Sequence, residues 1–154
     1  MFLDKKIKII ILDKRLGKQF PKPEYTTKGS AGIDIRVCNY KKIELKPNKN
    51  ILLPTGISIK MYTSNIAGMI IPRSGLAHYH GIVLGNLVGL IDSDYTGEIM
   101  LSIWNRGEKD FFINPGDRLA QIVFLNIIRS NLNFSKNIIK KKRNNKGFGH
   151  TGYK

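Results

Sequence analysis

The sequence predicts an all-β fold, and three observations carry that prediction. Short segments alternate between apolar and polar residues, turn-forming residues separate them, and alanine, the strongest helix former, occurs only four times. No long helical period appears, apart from one or two turns around 74–79. We therefore expect a jelly-roll-like β-barrel or sandwich.

Alternating or β-branched segments predict the individual strands. They lie at 7–12, 31–37, 57–61, 66–71, 99–103 and 118–125. Turn residues cluster at 46–48, 105–107 and 114–117. Pro21 and Pro23 make the stretch 17–27 an extended connector, because proline lacks a backbone donor and clashes inside a helix.

The length of 154 residues suits a single domain with a proper core. We assign residues 1–130 to the barrel. From Ser130 the chain becomes rich in asparagine, then in lysine, then in glycine. Because this composition is too polar to build a core, 131–154 is predicted to be a mobile arm, suited to closing over an anion.

The formal net charge of +15 is unevenly distributed. Residues 1–60 carry 14 basic and 5 acidic side chains and 136–154 carry 7 basic and no acidic ones, whereas 61–135 carry 5 basic and 6 acidic. A nucleic-acid groove would need basic residues interleaved with stacking aromatics, and that pattern is missing. Since the excess lysine equally fits drift in an AT-rich genome, we do not expect a nucleic-acid partner.

Targeting and redox signals are weak. The longest stretch free of charged residues and histidine, 61–72, is too short and too polar for a membrane span, and charged residues follow the first methionine too closely for a secretory signal. Cys38 is the only cysteine, which leaves no intrachain disulfide and no cysteine metal cluster. We therefore expect a cytoplasmic protein with no membrane partner.

The segment 86–97, N-L-V-G-L-I-D-S-D-Y-T-G, places two carboxylates directly after an apolar run. Such a run favours burial against the core, where an ionised aspartate is costly unless something binds it. Asp92 and Asp94 either share a metal, act as a general base, or cap the turn of a hairpin. Tyr95 beside them is read as an aromatic of the core or its rim.

A second candidate site follows the apolar strand at 66–71. Arg73 offers a planar fork of donors and Ser74 a hydroxyl, and with the backbone N–H groups near Gly75 they suit a phosphate. The alternative is a surface arginine followed by a helix N-cap serine. Gln121, alone among apolar neighbours, is either a satisfied core amide or an amide aimed at a ligand.

The histidines do not suggest a metal site. His78 and His80 lack ligand partners at metal-binding spacing, and no H-E-x-x-H motif occurs. We take both as structural or solvent-facing.

Taken in order, five segments resemble the five motifs of trimeric dUTP diphosphatases, most closely the bacterial enzymes. They are A-G-I-D at 31–34, P-R-S-G-L-A at 72–77, G-L-I-D-S-D-Y-T-G at 89–97, G-D-R-L-A-Q at 116–121 and G-F-G-H-T-G at 147–152. The resemblance implies a jelly-roll homotrimer with active sites between subunits. Its expected reaction is the Mg²⁺-dependent hydrolysis of dUTP to dUMP and pyrophosphate, which supplies dUMP for thymidylate synthesis and keeps uracil out of DNA.

The resemblance also implies roles for the reactive centre. Asp92 matches the catalytic carboxylate that activates a water for in-line attack on the α-phosphorus. The matches to the phosphate contacts are Arg73, Ser74, Gly75 and Gln121. Asp34 is similar to a carboxylate that reaches the magnesium only through water, so no direct metal ligand is expected.

Specificity and closure have matching positions as well. Asn86 and the hairpin that follows it match the uracil pocket, and Tyr95 resembles the aromatic that stacks on the sugar. Other positions that match the lining are Leu90, Ile91 and Met100. In the arm, Phe148 resembles the aromatic that covers the uracil, and Arg143 the catalytic arginine directed at the γ-phosphate.

The arm departs from the family pattern, and two other functions remain as alternatives. Asn144 and Lys146 replace glycines that usually follow the arginine, so lid closure is expected to differ and Lys146 to be able to share the role of Arg143. The first alternative is a dCTP deaminase-like enzyme, whose fold is the same but whose catalytic glutamate would fall in the run 100–103, where Ser102 cannot serve as the base. The second is a non-catalytic module that binds a nucleotide or RNA.

Overall fold

The structure, a computed structural model, describes residues 7–137. Eleven strands and one short helix follow one another along these residues. Their bounds are β1 Ile7–Ile11, β2 Ile33–Arg36, β3 Ile43–Leu45, β4 Asn50–Pro54, β5 Ile57–Met61, β6 Ile66–Pro72, α1 Ser74–His80, β7 Ile82–Leu84, β8 Gly89–Ile91, β9 Met100–Asn105, β10 Phe111–Ile113 and β11 Arg118–Asn126. The predicted all-β class is confirmed.

The strands pair in four antiparallel groups. The largest is a four-stranded sheet in the order β2-β11-β6-β8, and a three-stranded sheet has the order β4-β9-β7. The remaining pairs are β1 with β5 and β3 with β10. Because β11 is nine residues long and central in its sheet, it aligns β2 on one side and β6 on the other.

The alternation of apolar and polar residues in the sequence matches the alternation of buried and exposed residues in the strands. In β9 every second residue is buried, and in β2 Ile33 and Ile35 are buried while Asp34 and Arg36 are partly exposed. The core is dominated by β-branched residues, which suit a pleated surface. Its largest fully buried apolar side chains are Ile35, Ile57, Ile59, Ile82, Leu84, Ile99, Leu101, Ile103, Ile113, Ile122 and Val37.

Several predicted strands are confirmed within a residue or two, and five were missed. The missed strands β3, β4, β7, β8 and β10 have three to five residues each, which is too short for a reliable periodicity. The predicted helical turns at 74–79 are present as α1. The barrel ends with β11, and most of the predicted arm lies outside the described residues.

Arg15 ties the connector after β1 to the chain after β2. Its guanidinium forms an ion pair with Asp13 at 2.6 Å and donates to the carbonyls of Cys38 and Asn39. The hydrogen bonds from Arg15 lower the pKa of Asp13, and burial raises the pKa of the neighbouring Cys38 thiol to about 11. With every guanidinium nitrogen engaged, Arg15 acts as a structural clamp.

Within residues 7–137, no helix has the length and apolar character of a membrane span.

Candidate active site

A pocket opens where β6 ends and α1 begins. It has a volume of about 410 Å³. Its lining residues are Asp34, Arg73, Ser74, Gly75, Leu76, Tyr79, His80 and Gln121. The pocket therefore collects Asp34 and the predicted phosphate contacts, which together come from three resembling motifs far apart in sequence.

The register of the four-stranded sheet explains this convergence. Gln121 of β11 lies opposite Asp34 of β2 on one side and Ile71 of β6 on the other. Residues directly opposite each other in an antiparallel pair point to the same face of a sheet. Asp34 and Gln121 therefore share one face, next to the end of β6 where Arg73 follows.

Asp34 joins two arginines. Its Oδ1 lies 3.0 Å from Nε of Arg73, and its Oδ2 accepts a hydrogen bond of 2.9 Å from Arg118. Arg73 also donates a hydrogen bond from its Nη1 to the backbone carbonyl of Arg118 at 3.0 Å. Charge-assisted bonds of this kind are stronger and more directional than neutral ones, so the Arg73 guanidinium is held in place before any ligand arrives.

Gln121 is oriented by two close neighbours. Its Nε2 donates to the carbonyl of Pro72 at 3.0 Å. Its Oε1 approaches Gly32 so closely that a Cβ there would lie 2.5 Å from it. The amide is thus partnered on its nitrogen, and Gly32 supplies the space in which it lies.

Ser74 and Gly75 remain available to a ligand. The N-cap of α1 is Arg73, without a side-chain cap, so the alternative that Ser74 caps the helix is wrong. The Ser74 hydroxyl is exposed and bonds to no other described residue. A Cβ at Gly75 would meet no atom within 4 Å, so packing among the described residues does not demand the glycine.

The segment that carries the aspartates lies elsewhere on the barrel. β7 pairs with β9 and β8 pairs with β6, so the strands on either side of 85–88 belong to different sheets. The expected β-hairpin after Asn86 is not formed either, because β8 before Asp92 pairs with β6, whereas β9 after Asp94 pairs with β4 and β7. Leu87 has a φ of +64°, a left-handed conformation that is uncommon for a leucine.

Asp92 and Asp94 are both exposed in the isolated chain. The expectation that the apolar run buries them against the core is wrong for a single chain, since Leu87, Val88 and Leu90 of that run are themselves 69%, 48% and 65% exposed. The turn is closed by the backbone N–H of Tyr95, which donates to the carbonyl of Asp92 at 3.2 Å. Neither aspartate side chain bonds to another described residue, so the structure gives Asp94 no hairpin-holding contact.

Tyr95 is oriented by a local contact. Its hydroxyl donates to the carbonyl of Glu98 at 2.9 Å, and a Cβ at Gly97 would lie 2.5 Å from that hydroxyl. The glycine therefore lets the ring fold back over the chain. Tyr95 remains 43% exposed and Met100, at the start of β9, 38% exposed, while Ile91 is partly buried.

The following residues fasten this segment to the barrel. Thr55 and Ser58 donate to the carbonyls of Ile99 and Thr96 at 2.6 and 2.9 Å. Glu98 accepts a hydrogen bond of 2.8 Å from the backbone of Gly56. Residues 96–99, which follow the segment, are thus fixed to the barrel, whereas most residues of 86–95 are exposed.

Asp92 and Arg73 lie at opposite ends of β6. Ile91 pairs with Gly68 near the start of the strand, whereas Arg73 follows its last residue. With Asp92 level with Ala67, the strand between them corresponds to about 20 Å at 3.3 Å per residue. The structure thus brings together Asp34, Arg73, Ser74, Gly75 and Gln121, but it does not bring Asp92 to them within one chain.

The described residues include no cluster of three or more His, Cys, Asp or Glu side chains suited to a metal ion. Magnesium, however, usually takes one or two protein carboxylates together with substrate phosphates and waters. Both oxygens of Asp34 bond to arginines, which leaves lone pairs for a water but disfavours a direct metal bond. Asp34 therefore fits a magnesium held through water.

Sequence reasoning missed three residues at this pocket. Arg118 is bonded to Asp34, and Tyr79 and His80 line the wall formed by α1. His80 was read as structural or solvent-facing, and the structure shows it exposed at the pocket. The only sequence signal for Arg118 was its position three residues before Gln121. The register of the sheet is what brings Arg118 close to Asp34. Arg143 and Phe148 lie outside the described residues.

An all-β fold with a pocket lined by arginine, serine and amide donors suits a phosphorylated ligand. A family model described as dUTPase matches residues 18–152. A deoxyuridine 5'-triphosphate nucleotidohydrolase from Hamiltonella defensa is 57% identical over 148 residues, covering 96% of this chain and 98% of its own length. The chain belongs to the dUTPase family.

Solved structures agree in fold. A dUTPase variant of Staphylococcus bacteriophage 80alpha, solved with dUpNHpp, has a TM-score of 0.81 at 22% identity and covers 96% of this chain and 98% of that chain. A dUTPase variant from phage phi11 of S. aureus, solved with a structural Mg(II) ion, has a TM-score of 0.73 at 21% identity over 86% of this chain and 97% of that chain. The predicted jelly-roll fold is thereby confirmed.

Proposed function

We propose that this chain hydrolyses dUTP to dUMP and pyrophosphate with Mg²⁺. The observation that carries the proposal is the donor set at the end of β6, in a chain of the dUTPase family. Among the described residues, Arg73 donates one hydrogen bond, to the carbonyl of Arg118, and its Nε forms an ion pair with Asp34, so most of its five N–H donors are available to an anion. A triphosphate is the kind of ligand that needs so many convergent donors.

The phosphate contacts follow from this geometry. Arg73 supplies charge and a fixed direction, the Ser74 hydroxyl donates to an oxygen, and the open space beside Gly75 lets a phosphate approach the backbone. Gln121 keeps the pocket wall in register through Pro72 and presents its amide to the same ligand. Donors held this way stabilise negative charge without reorganising during the reaction.

We assign the chemical step to Asp92. Its carboxylate takes a proton from a water, the water oxygen attacks the α-phosphorus, and the bond to the bridging oxygen breaks with departure of pyrophosphate. An exposed carboxylate without a partner among the described residues is free to hold that water. When bound to the phosphates, Mg²⁺ supplies charge neutralisation, and Asp34 is the residue suited to hold it through water.

We assign base and sugar selection to the segment 86–95 and its surroundings. Asn86 reads the uracil edge together with the neighbouring backbone, and Tyr95 stacks on the deoxyribose. The supporting observation is that the chain exposes these groups on a segment whose base is fastened to the barrel. The further lining positions are Leu90, Ile91 and Met100.

We propose that the active enzyme is a homotrimer with its sites between subunits. The distance of about 20 Å along β6 is too long for Asp92 and Arg73 of one chain to share a reacting phosphate. Leu87 and Val88 of this segment are also exposed apolar side chains of the kind that subunit contacts cover. Asp92 would therefore complete the phosphate pocket of a neighbouring chain.

The arm belongs to this proposal. In its described part, Leu132 and Phe134 are 77% and 94% exposed, so these residues do not pack on their own barrel. We assign to Phe148 the role of covering the uracil. Arg143 would bind the γ-phosphate of a site formed by the other chains, and Lys146 could share that role. We place the enzyme in the cytoplasm, where it would supply dUMP and remove dUTP.

Separate assays of pyrophosphate and ammonia test the proposal. The protein is incubated with dUTP and Mg²⁺, and in parallel with dCTP. We expect pyrophosphate from dUTP and no ammonia from either. Ammonia from dCTP would favour the deaminase, although Ser102 replaces its base, and release of neither product would favour a binding module.

A further inference from the structure

Arg73 is held from two directions, and both contacts lead to Arg118. One contact runs through Asp34, whose Oδ1 forms an ion pair with Nε of Arg73 at 3.0 Å and whose Oδ2 accepts a hydrogen bond from Nη1 of Arg118 at 2.9 Å. The other is direct, from Nη1 of Arg73 to the backbone carbonyl of Arg118 at 3.0 Å. One ion pair and two hydrogen bonds thus link the three residues in a ring beside the phosphate pocket.

An irregularity in β11 makes this ring possible. Arg118 pairs with Arg36, but the next pair is Ala120 with Ile35, so two steps on β11 match one step on β2. Without this bulge, residues three apart, such as Arg118 and Gln121, would point to opposite faces of the sheet. The bulge turns Arg118 to the face of Asp34 and Gln121, and it leaves Leu119 and Ala120 both buried.

Packing in the core does not explain why an arginine stands at position 118. Its side chain is 41% exposed, and within the described residues Asp34 is the only hydrogen-bond partner of its guanidinium. Arg118 binds the Asp34 oxygen that Arg73 does not contact, and this bond prevents rotation of the carboxylate. A carboxylate that cannot rotate holds the Arg73 guanidinium in one orientation. The free N–H groups of Arg73 then face the pocket before substrate arrives.

We propose that Arg118 is a positioning residue for dUTP hydrolysis, acting on the phosphates through Asp34 and Arg73 and not by touching them. The inference rests on the proposed function and adds a residue to it. A misplacement of about 1 Å in a group that orients substrate costs on the order of 100-fold in rate, so an exposed arginine can matter greatly without contacting the ligand.

The test compares Arg118→Ala, Arg118→Lys and a matched control, Lys22→Ala. Lys22 lines a small pocket together with Asp34 and Arg118, so its loss removes the same charge from the same place without breaking the ring. We expect Arg118→Ala to lower kcat/KM for dUTP by about 10–100-fold, since losing a group that orients a ligand-binding residue has effects of this size. Arg118→Lys should recover part of this loss, and Lys22→Ala should change kcat/KM less than about 2-fold.

A double-mutant cycle separates positioning from direct contact. If Arg118 acts through Arg73, Arg118→Ala should cost less than about 2-fold in the Arg73→Ala background. Calorimetric titration with dUpNHpp gives the same comparison where turnover is too slow to measure. Multiplicative losses in the two backgrounds would mean that Arg118 touches the phosphates, which would overturn the proposal.

Two further outcomes also decide whether Arg118 is a positioning residue. An unchanged kcat/KM in Arg118→Ala, with or without a lower Tm, would overturn the positioning role. If the wild-type protein releases no pyrophosphate from dUTP, the proposed function fails, which is distinct from the case of an active wild type whose Arg118 variants match Lys22→Ala. Should Arg118→Ala not fold, as judged by circular dichroism, Arg118→Gln takes its place in the same cycle.

Discussion

The two halves of the candidate site are built in opposite ways. At the end of β6, Asp34, Arg73 and Gln121 are bonded to one another's strands and partly buried. At the other end of the same strand, Asp92 and Asp94 are exposed, and no described residue bonds to either side chain. One half is rigidly assembled within the chain, and the other is presented outward.

This difference indicates how the work of binding is divided. A highly charged triphosphate requires donors that are already aligned, because aligning them during the reaction would cost free energy. The outward segment exposes apolar side chains, and in the proposed homotrimer a neighbouring chain would bury them. Substitutions in the first half should therefore act within their own chain, and those in the second half on a site shared with a partner.

Removing the proposed base should have the largest effect. Asp92→Asn keeps the size of the side chain but cannot take a proton from water, so kcat should fall by about 10²–10⁴-fold. Because the phosphate half is untouched, affinity for dUpNHpp in a calorimetric titration should stay near the wild-type value. Turnover close to wild type would remove Asp92 from the mechanism.

Mixing two inactive variants tests whether the halves come from different chains. Arg73→Ala and Asp92→Asn are each expected to be nearly inactive, but in randomly mixed trimers about one quarter of the sites would combine an intact Arg73 with an intact Asp92. Steady-state assays after co-refolding should therefore recover roughly that fraction of wild-type activity. No recovery, with mixing verified by differently tagged chains, would place both residues in one chain's site.

A smaller change should loosen only the phosphate half. In Gly32→Ala the new Cβ would meet the Oε1 of Gln121 at 2.5 Å, and the flexible amide must move away from Pro72. We expect kcat/KM to fall about as much as in Gln121→Ala, by roughly 10-fold, with little change in Tm because no backbone clash arises. Gly29→Ala, whose Cβ would meet nothing within 4 Å, is the matched control and should behave as wild type.

The smallest effect concerns the scaffold that both halves share. Burial raises the pKa of the Cys38 thiol to about 11, so at pH 8 only about one thiol in a thousand is a reactive thiolate. The native protein should therefore react slowly with a disulfide reagent at pH 8 and quickly once unfolded in guanidinium. Rapid labelling without denaturant would show that the chain around Arg15 and Cys38 opens.

The sequence by itself determined the fold class and predicted which residues form the site. Alternation of period two sets which side chains of β2 and β9 are buried, since that pattern is a local property of the backbone. Resemblance to five ordered motifs identified the candidate residues, including Arg143 and Phe148 in the arm. Short strands such as β3 and β10 escaped prediction because three residues cannot establish a period.

Only the tertiary structure decided how these residues are grouped. The bulge between Arg118 and Ala120, and the pairing of β8 with β6, depend on partners distant in sequence. The bulge turns Arg118 toward Asp34, and the pairing sets Asp92 about 20 Å along the strand from Arg73. Which strands pair, and in which register, is set by long-range packing, so no local pattern could have separated the preassembled half of the site from the half that faces outward.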